Sequence, residues 1–474
     1  MQDEPLIKTR SRDNAKMLPY WLKVQAFTEG EDSVLAGGVD FLPMLPGETS
    51  ERHAFRLRCA KFTAVYADIV DSLAAKPFEE EIKIVGDAIP EEITEFVENV
   101  DGDGNNLTVL ASQYFYNGIN DAIAWLCVDY PNPSETIRTR ADARAARLRP
   151  FWSIILAKNV LEARVKTING DTLLSYVRVL EPGPIERVRE FERSEIGTIE
   201  WRLHKIENGI ATIEESGTLS IDVIPFVPFI TGRRDGKTFY VVPPLKGAVS
   251  LQGVLYRQES ALEYAKSMTA FPMLSASGVK PQLGSDGKPL PINVGPQTVL
   301  YAPKDGDGEA GSWSYIEPNA NSLKFLADDV KETKQDLREL GKQPLTAQAG
   351  LTVITTAYAA GKSRSAVKQW GLALKDAIEN ALVITAKWLN LDYDPEISVY
   401  DDYDDLTEED FTSVMELRKN GDISQETVWT EAKRRGILSA EFDPELEAEK
   451  LLAETPSDGL DEFDETPPEK EPFK

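Results

Sequence analysis

Two glycine-rich segments carry some residues of a phosphate-binding loop, in which backbone N–H groups and a lysine hold nucleotide phosphates. In Gly232–Thr238 only three residues separate the glycines, where the motif needs four, and an extended run follows in place of a helix. Gly361–Ser363 opens a predicted helix, but Thr356 stands where the first glycine is required. Because a helix N-terminus is the part that binds phosphate, we interpret the first segment as a hairpin turn and expect no nucleotide site in either.

A second candidate, Asp101–Asn106, resembles the start of a calcium-binding loop. Its sixth residue is Asn106 where glycine is required, and its twelfth is Ser112 where glutamate is required. We therefore predict a polar turn in front of a helix that begins near Leu107. The acidic run Asp401–Asp405 is typical of a solvated turn in the same way.

Histidine and cysteine are scarce. The two histidines, His53 and His204, have no nucleophile or ligand at a fixed spacing, and we interpret both as structural or surface residues. Two cysteines, Cys59 and Cys127, are too few for a disulfide framework or a cysteine zinc cluster and favour a reduced compartment. We expect no metal, no cofactor and no enzymatic activity.

The charge balance restricts the partners. The 474 residues include 52 Lys and Arg against 79 Asp and Glu, a formal net charge of -27. So acidic a protein is not expected to grip DNA, since neutralising phosphates requires clustered basic residues, or to bind an anionic membrane. Residues 395–474 alone hold 25 acidic and 8 basic side chains. The N-terminus lacks the apolar core of a signal peptide, and no stretch is long and apolar enough to span a bilayer.

The elements that must position any site are mostly long helices. Apolar residues at three- and four-residue steps predict helices at five places, which are Glu51–Ala74, Leu107–Leu126, Lys246–Met268, Asn319–Leu340 and Ser363–Asn390. Asn-Gly at 169–170 predicts a hairpin between Ala163–Ile168 and Leu173–Leu180. Further turns are predicted at Asn208-Gly209 and Ser216-Gly217. Residues 272–316 predict a small β module between two helices.

One connecting segment stands out by its composition. Gln343–Ala360, between two predicted long helices, has no charged residue in a chain that is 28% charged. The segment could face another molecule without gripping it, or it could be a buried connector whose hydroxyls bond to the backbone; its composition favours neither.

Several segments, taken in order, resemble the portal (connector) proteins of tailed bacteriophages, in a branch labelled as a domain of unknown function. The segments that carry the resemblance are Phe41–Ser50, Arg56–Phe62, Asn99–Gly104, Leu126–Pro131, Pro225–Ile230, Pro243–Leu245 and Val294–Leu300. Together they cover about residues 20–450, and their order and spacing are more specific than any one of them.

The resemblance implies an α+β portal fold built into a dodecameric ring. Its wing would hold residues 1–244 together with a spine helix and following strand at 363–404. The stem would be helices at 245–271 and 318–342, and the clip residues 272–317. A tunnel loop would lie at 343–362, a helical crown at 405–454 and a disordered acidic tail at 455–474.

The resemblance also implies partners and a location. Double-stranded DNA would pass through the ring, which would sit at one capsid vertex of the virion after assembly in the host cytoplasm. The major capsid protein, terminase and head-completion or adaptor proteins would bind it, and no membrane would. The tunnel-loop residues facing DNA would be Gln343, Thr346, Gln348, Thr352, Thr355 and Thr356.

The basic residues of the second stem helix leave two interpretations open. The candidates for the channel wall are Lys324, Lys331, Lys334 and Arg338. They could form rings toward DNA, or they could pair with the equally numerous acidic residues of the same helix. Two other functions also stay open: another head-tail ring adaptor, disfavoured by the length of this chain, and a packaging NTPase, disfavoured by the failed phosphate loops.

Overall fold

The computed structural model describes residues 5–86, 88–131, 148–269, 273–277, 283, 287–288, 311–316, 320–341, 353–401, 408–434, 437–439, 442–444 and 446–447. The chain divides into two compact units, Met1–Tyr403 and Asp404–Lys474. Helices and strands both contribute to the first unit, so the predicted α+β class is confirmed.

The first unit has nine described α-helices. They are α1 (Arg12–Glu29), α2 (Glu31–Ala36), α3 (Ser50–Arg58), α4 (Val65–Ala75), α5 (Glu91–Val97), α6 (Leu107–Asp121), α7 (Lys246–Thr269), α8 (Ala320–Leu340) and α9 (Val353–Leu389). The prediction of α7 and α8 is confirmed to within one residue at each end, because neither segment contains a proline or a competing cap.

The described strands form five antiparallel sheets. The strands are β1 (Lys83–Val85), β2 (Ile123–Asp129), β3 (Phe151–Ile155), β4 (Val160–Ile168), β5 (Asp171–Glu181), β6 (Glu186–Arg193), β7 (Ile199–Glu207), β8 (Ile210–Thr218), β9 (Phe226–Ile230), β10 (Arg233–Arg234), β11 (Val241–Val242), β12 (Met273–Ser277), β13 (Ser312–Ile316) and β14 (Glu396–Ser398). The sheet orders are β3-β2-β9, β4-β5-β6-β7-β8, β1-β14, β10-β11 and β12-β13.

The three-stranded sheet lies in the main core. Asn106 caps α6 by accepting a hydrogen bond from the Val109 amide at 2.9 Å. Ala122, with φ of 68°, ends the helix and turns the chain into β2. Helices α6 and α9 both pack on this sheet, and every residue of β2 except Asp129 is buried.

Three indole groups fix the long helix α9 to that sheet. Trp370 donates to the Thr231 carbonyl at 3.1 Å, and Trp388 donates to the Val128 carbonyl at 3.0 Å. In the opposite direction, Trp152 of β3 donates to the Thr385 hydroxyl of α9 at 2.9 Å. These bonds span the last five turns of α9 and hold it in one register against the sheet.

The five-stranded sheet is a simple meander, and two of its predicted turns are confirmed. Asn169 and Asn208 have φ of 54° and 51°, each followed by a glycine with positive φ, as two-residue hairpins require. The turn predicted at Ser216-Gly217 is wrong, because both residues lie within β8. Gly217 leaves room for the Trp201 side chain on the neighbouring strand, since a Cβ at position 217 would lie only 3.0 Å from the indole nitrogen.

Three predicted helix boundaries are also wrong. Helix α6 ends at Asp121 instead of Leu126, because Ala122 has a positive φ and the chain continues directly into β2. The segment Glu51–Ala74 forms two helices, α3 and α4, with a break at 59–64. Helix α9 begins at Val353 instead of Ser363, so the second half of the predicted loop 343–362 is helical. Alanine favours helix and no proline interrupts residues 345–394, so nothing local delays the start of α9 until Ser363.

In the second unit, helices α10 (Glu408–Lys419) and α11 (Gln425–Arg434) pack on each other. Trp429 meets Phe442 edge to face at 5.9 Å between ring centroids. Two helices are therefore present in the segment 405–454 that was predicted to be helical, and its assignment as a crown stays a prediction. The tail predicted at 455–474 lies outside the described residues.

Candidate functional site

Helices α7 and α8 form an antiparallel hairpin. The Gln258 amide donates to Asp329 at 2.6 Å near the middle of both helices, and Gly247 lies against Leu340 at one end. At the other end, the loop end of the hairpin, the chain leaves α7 at Thr269 and returns to α8 at Ala320. These two helices occupy the positions where the resemblance expects the stem.

A β ribbon continues from this end of the hairpin. Strands β12 and β13 pair antiparallel from Met273 opposite Ile316 to Ser277 opposite Ser312. The ribbon is the described part of the module predicted at 272–316. The arrangement is thus a helical hairpin with a pair of antiparallel strands inserted at its loop end.

Helix α8 packs through one stripe and leaves the rest of its surface charged. Val330, Thr333 and Leu337 are buried against neighbouring helices. Of the four basic candidates, Lys334 binds Glu259 of α7 at 2.7 Å and Arg338 binds Asp68 of α4 at 3.1 Å. Both are therefore engaged within the chain, while Lys324 and Lys331 are exposed.

Glu259 is the centre of a buried polar cluster that joins α7, α8 and the start of α4. Its carboxylate, 3% exposed, accepts hydrogen bonds from the Thr63 amide at 3.1 Å and the Thr63 hydroxyl at 2.7 Å, besides the Lys334 ion pair. Gln252 accepts from the Tyr66 amide and donates to the Thr63 carbonyl, both at 2.9 Å. The first amides of α4 are thus capped from another helix, and a negative charge there suits the helix dipole.

This cluster explains the break between α3 and α4 and was missed from the sequence. The only local signal is spacing: Gln252 and Glu259 lie seven residues apart, two turns of helix, on the same face as the buried Leu255 and Leu262. Two polar residues on an apolar face indicate buried partners, but the sequence does not identify them.

Most of the predicted tunnel-loop residues lie outside the described part of the chain. This applies to Gln343, Thr346, Gln348 and Thr352. Thr355 and Thr356 belong to the first turn of α9, and their side chains are not described. Whether any of the six faces DNA stays a prediction.

The segment that opens the family resemblance is held by a buried ion pair. Arg56 binds both oxygens of Glu48, at 2.9 and 2.7 Å, and donates to the Pro43 carbonyl at 2.6 Å. The Arg56 hydrogen bonds lower the pKa of Glu48 to about 2. His53 binds the Leu42 carbonyl at 2.7 Å, so it is structural, as predicted.

The motifs that suggested other chemistry have structural roles. Asp101 accepts hydrogen bonds from the Asp103 and Asn105 amides, which makes the predicted polar turn before α6. Gly232–Thr238 lies at the β10-β11 hairpin, also as predicted. His204 is bonded to Glu190 at 3.0 Å across strands. In the described part of the chain, no three His, Cys, Asp or Glu side chains are grouped to hold a metal ion.

Comparisons with family models and with solved structures both gave matches. Residues 244–389, which contain the helical hairpin and α9, match the family described as Domain of unknown function (DUF4055). One solved structure, titled "Neck of native GTA particle computed with C12 symmetry", has a TM-score of 0.41 and 12% identity, and the match covers 83% of this chain and 97% of that chain. A comparison with curated proteins gave no match. Among the described residues, no helix has the length and apolar character needed to cross a membrane.

Proposed function

We propose that this chain is a structural, non-enzymatic subunit of a portal ring at one capsid vertex. Double-stranded DNA would pass through the ring during packaging and ejection, and terminase and head-completion proteins would dock on it. The observation that carries the proposal is the antiparallel hairpin α7–α8 with the β12-β13 ribbon at its loop end. The resemblance expects a stem and clip at these residues, and the matched family covers the same residues.

The charge of the chain supports a channel through which DNA moves. With a net charge of -27, the protein offers little attraction to a polyphosphate, and each basic contact would add affinity and slow movement. Two of the four basic candidates on α8 are held by carboxylates of the same chain. The positive charge available to phosphate along this helix is reduced accordingly.

Native mass spectrometry of the purified full chain tests the proposal. We expect one closed oligomer, a dodecamer by the resemblance, with no ATP turnover by the isolated protein. A monomer or dimer at high concentration would exclude a ring subunit. Real ATP hydrolysis would favour the packaging motor instead.

A further inference from the structure

The outer surface of α8 carries opposite charges on separate edges. At about 100° of rotation per residue, Lys324, Lys331 and Arg338 return to nearly the same angle and form a basic edge. An acidic edge lies roughly 90° further round, and its members are Asp328, Glu332, Asp336 and Glu339. Both edges lie away from the buried stripe of Val330, Thr333 and Leu337.

The acidic edge lacks counter-charges where the structure describes the chain. Asp328, Glu332 and Asp336 follow one another at four-residue steps, a spacing at which like charges repel and destabilise a helix. They are exposed, and among the described residues none of the three has an ion pair. The same holds for the exposed Lys324 and Lys331 on the basic edge. Among the described residues of this chain, these side chains have no oppositely charged partner, so each edge is open to a partner from another molecule.

A second copy of the same chain complements both edges at once. Rotation about a ring axis involves no translation along it, so in a ring each residue of α8 meets the neighbour at its own height. Lys331 and Glu332 differ in height by about 1.5 Å, and Lys324 and Asp328 by about 6 Å, if the helix runs along the axis. Both offsets are within reach of a lysine side chain. DNA, in contrast, would suit the basic edge and be repelled by the acidic one.

We propose that the basic edge of α8 in one subunit binds the acidic edge of α8 in the next, so that Lys324 and Lys331 face a neighbouring subunit and not DNA. This inference rests on the proposed ring. Phe325, which is 70% exposed beside the acidic edge, is covered by the same contact. Because every subunit carries both edges, the contact is head-to-tail and can close into a ring.

Charge reversal with rescue tests the interface. Lys324→Glu with Lys331→Glu, or Asp328→Lys with Glu332→Lys, places like charges in contact, and the fraction of protein in rings should fall at least tenfold at low salt. All four changes in one chain reverse both edges and should restore ring formation. Lys23→Glu with Lys61→Glu, on exposed lysines elsewhere in the chain, is the control of equal charge and should leave rings unchanged.

The outcomes separate this inference from the proposed function. Circular dichroism should show that every variant is folded, since all six positions are exposed. If the wild type forms rings and both reversed pairs do so equally well, the interface is wrong and the portal assignment stands. If the quadruple variant stays dissociated, the edges do not bind each other. A wild-type chain that never forms rings overturns both proposals.

Discussion

At Asp121 a carboxyl group is buried at the C-terminal end of α6. The residue is 9% exposed, and its backbone carbonyl accepts the indole N–H of Trp21 at 3.0 Å. Burial raises the pKa of Asp121 from 3.8 to about 7, although the positive charge of Lys158 opposes the shift. The folded protein therefore retains a proton at Asp121 at pH values where the unfolded chain has lost it.

Asp121→Asn should remove a pH dependence of stability. The raised pKa gives stability that is complete below pH 3.8 and is lost as the pH rises through about 7. Relative to wild type, the variant should gain on the order of 3 kcal/mol in free energy of unfolding between pH 4 and pH 8. Urea denaturation at each pH measures this difference. Asp103→Asn, in an exposed turn, is the control. If the free energies of unfolding of wild type and Asp121→Asn differ by the same amount at every pH, the raised pKa of Asp121 is contradicted.

Glu259 provides a second residue-scale prediction, since it holds three groups from two other parts of the chain. Glu259→Ala leaves the Thr63 amide and the Lys334 ammonium without their acceptor, and should lower the free energy of unfolding by on the order of 3 kcal/mol. Glu263→Ala, one turn further along α7, removes only a partly exposed pair with Lys266 and should cost less than about 0.5 kcal/mol. Equal losses in thermal denaturation would contradict a special role for Glu259.

At the scale of elements, the sequence predicts what local signals control. Helices α7 and α8 follow from apolar spacing without proline, and the hairpin turn after β4 follows from Asn169-Gly170. The wrong prediction of one continuous helix at Glu51–Ala74 arises because residues distant in sequence determine where α4 begins. The break before α4 depends on Gln252 and Glu259, almost two hundred residues further along the chain.

The candidate site shows the same limit. Sequence spacing identified the basic residues of α8 and the β module beside it, and it left the direction of the basic side chains open. Lys334 and Arg338 point to Glu259 and Asp68, which are remote in sequence. Only the folded arrangement of α4, α7 and α8 divides the four candidates into an engaged pair and an exposed pair.

Close packing of α6 on β9 leads to an element-scale prediction. A Cβ on Gly118 would lie 2.2 Å from the Phe229 ring, which stacks on Phe115. Gly118→Ala should therefore destabilise the protein by about 1–3 kcal/mol through overpacking. In α7, a Cβ on Gly253 would meet only the Arg257 side chain at 3.7 Å and the Phe27 ring at 3.8 Å, and Gly253→Ala should stabilise by up to about 1 kcal/mol. Thermal denaturation of the two variants should give shifts of opposite sign; two shifts of the same sign would contradict this packing.

At the scale of the whole molecule, the acidity is unevenly distributed. Residues 395–474 have a net charge of -17 of the total -27, and most of them belong to the second compact unit. In the first unit many charges are paired, as in the row Glu162, Arg178, Glu190 and Arg202 across β4 to β7. On α8 they are separated by sign, which is the arrangement that a ring of identical subunits can use.

Electron microscopy of the purified protein would show directly whether this chain assembles into a ring. We expect closed rings with a central opening at low salt, of one size in class averages. Disassembly by the Lys324→Glu, Lys331→Glu pair and reassembly by the fourfold reversal would connect those rings to α8. Isolated monomers, or open filaments without a channel, would contradict the portal assignment.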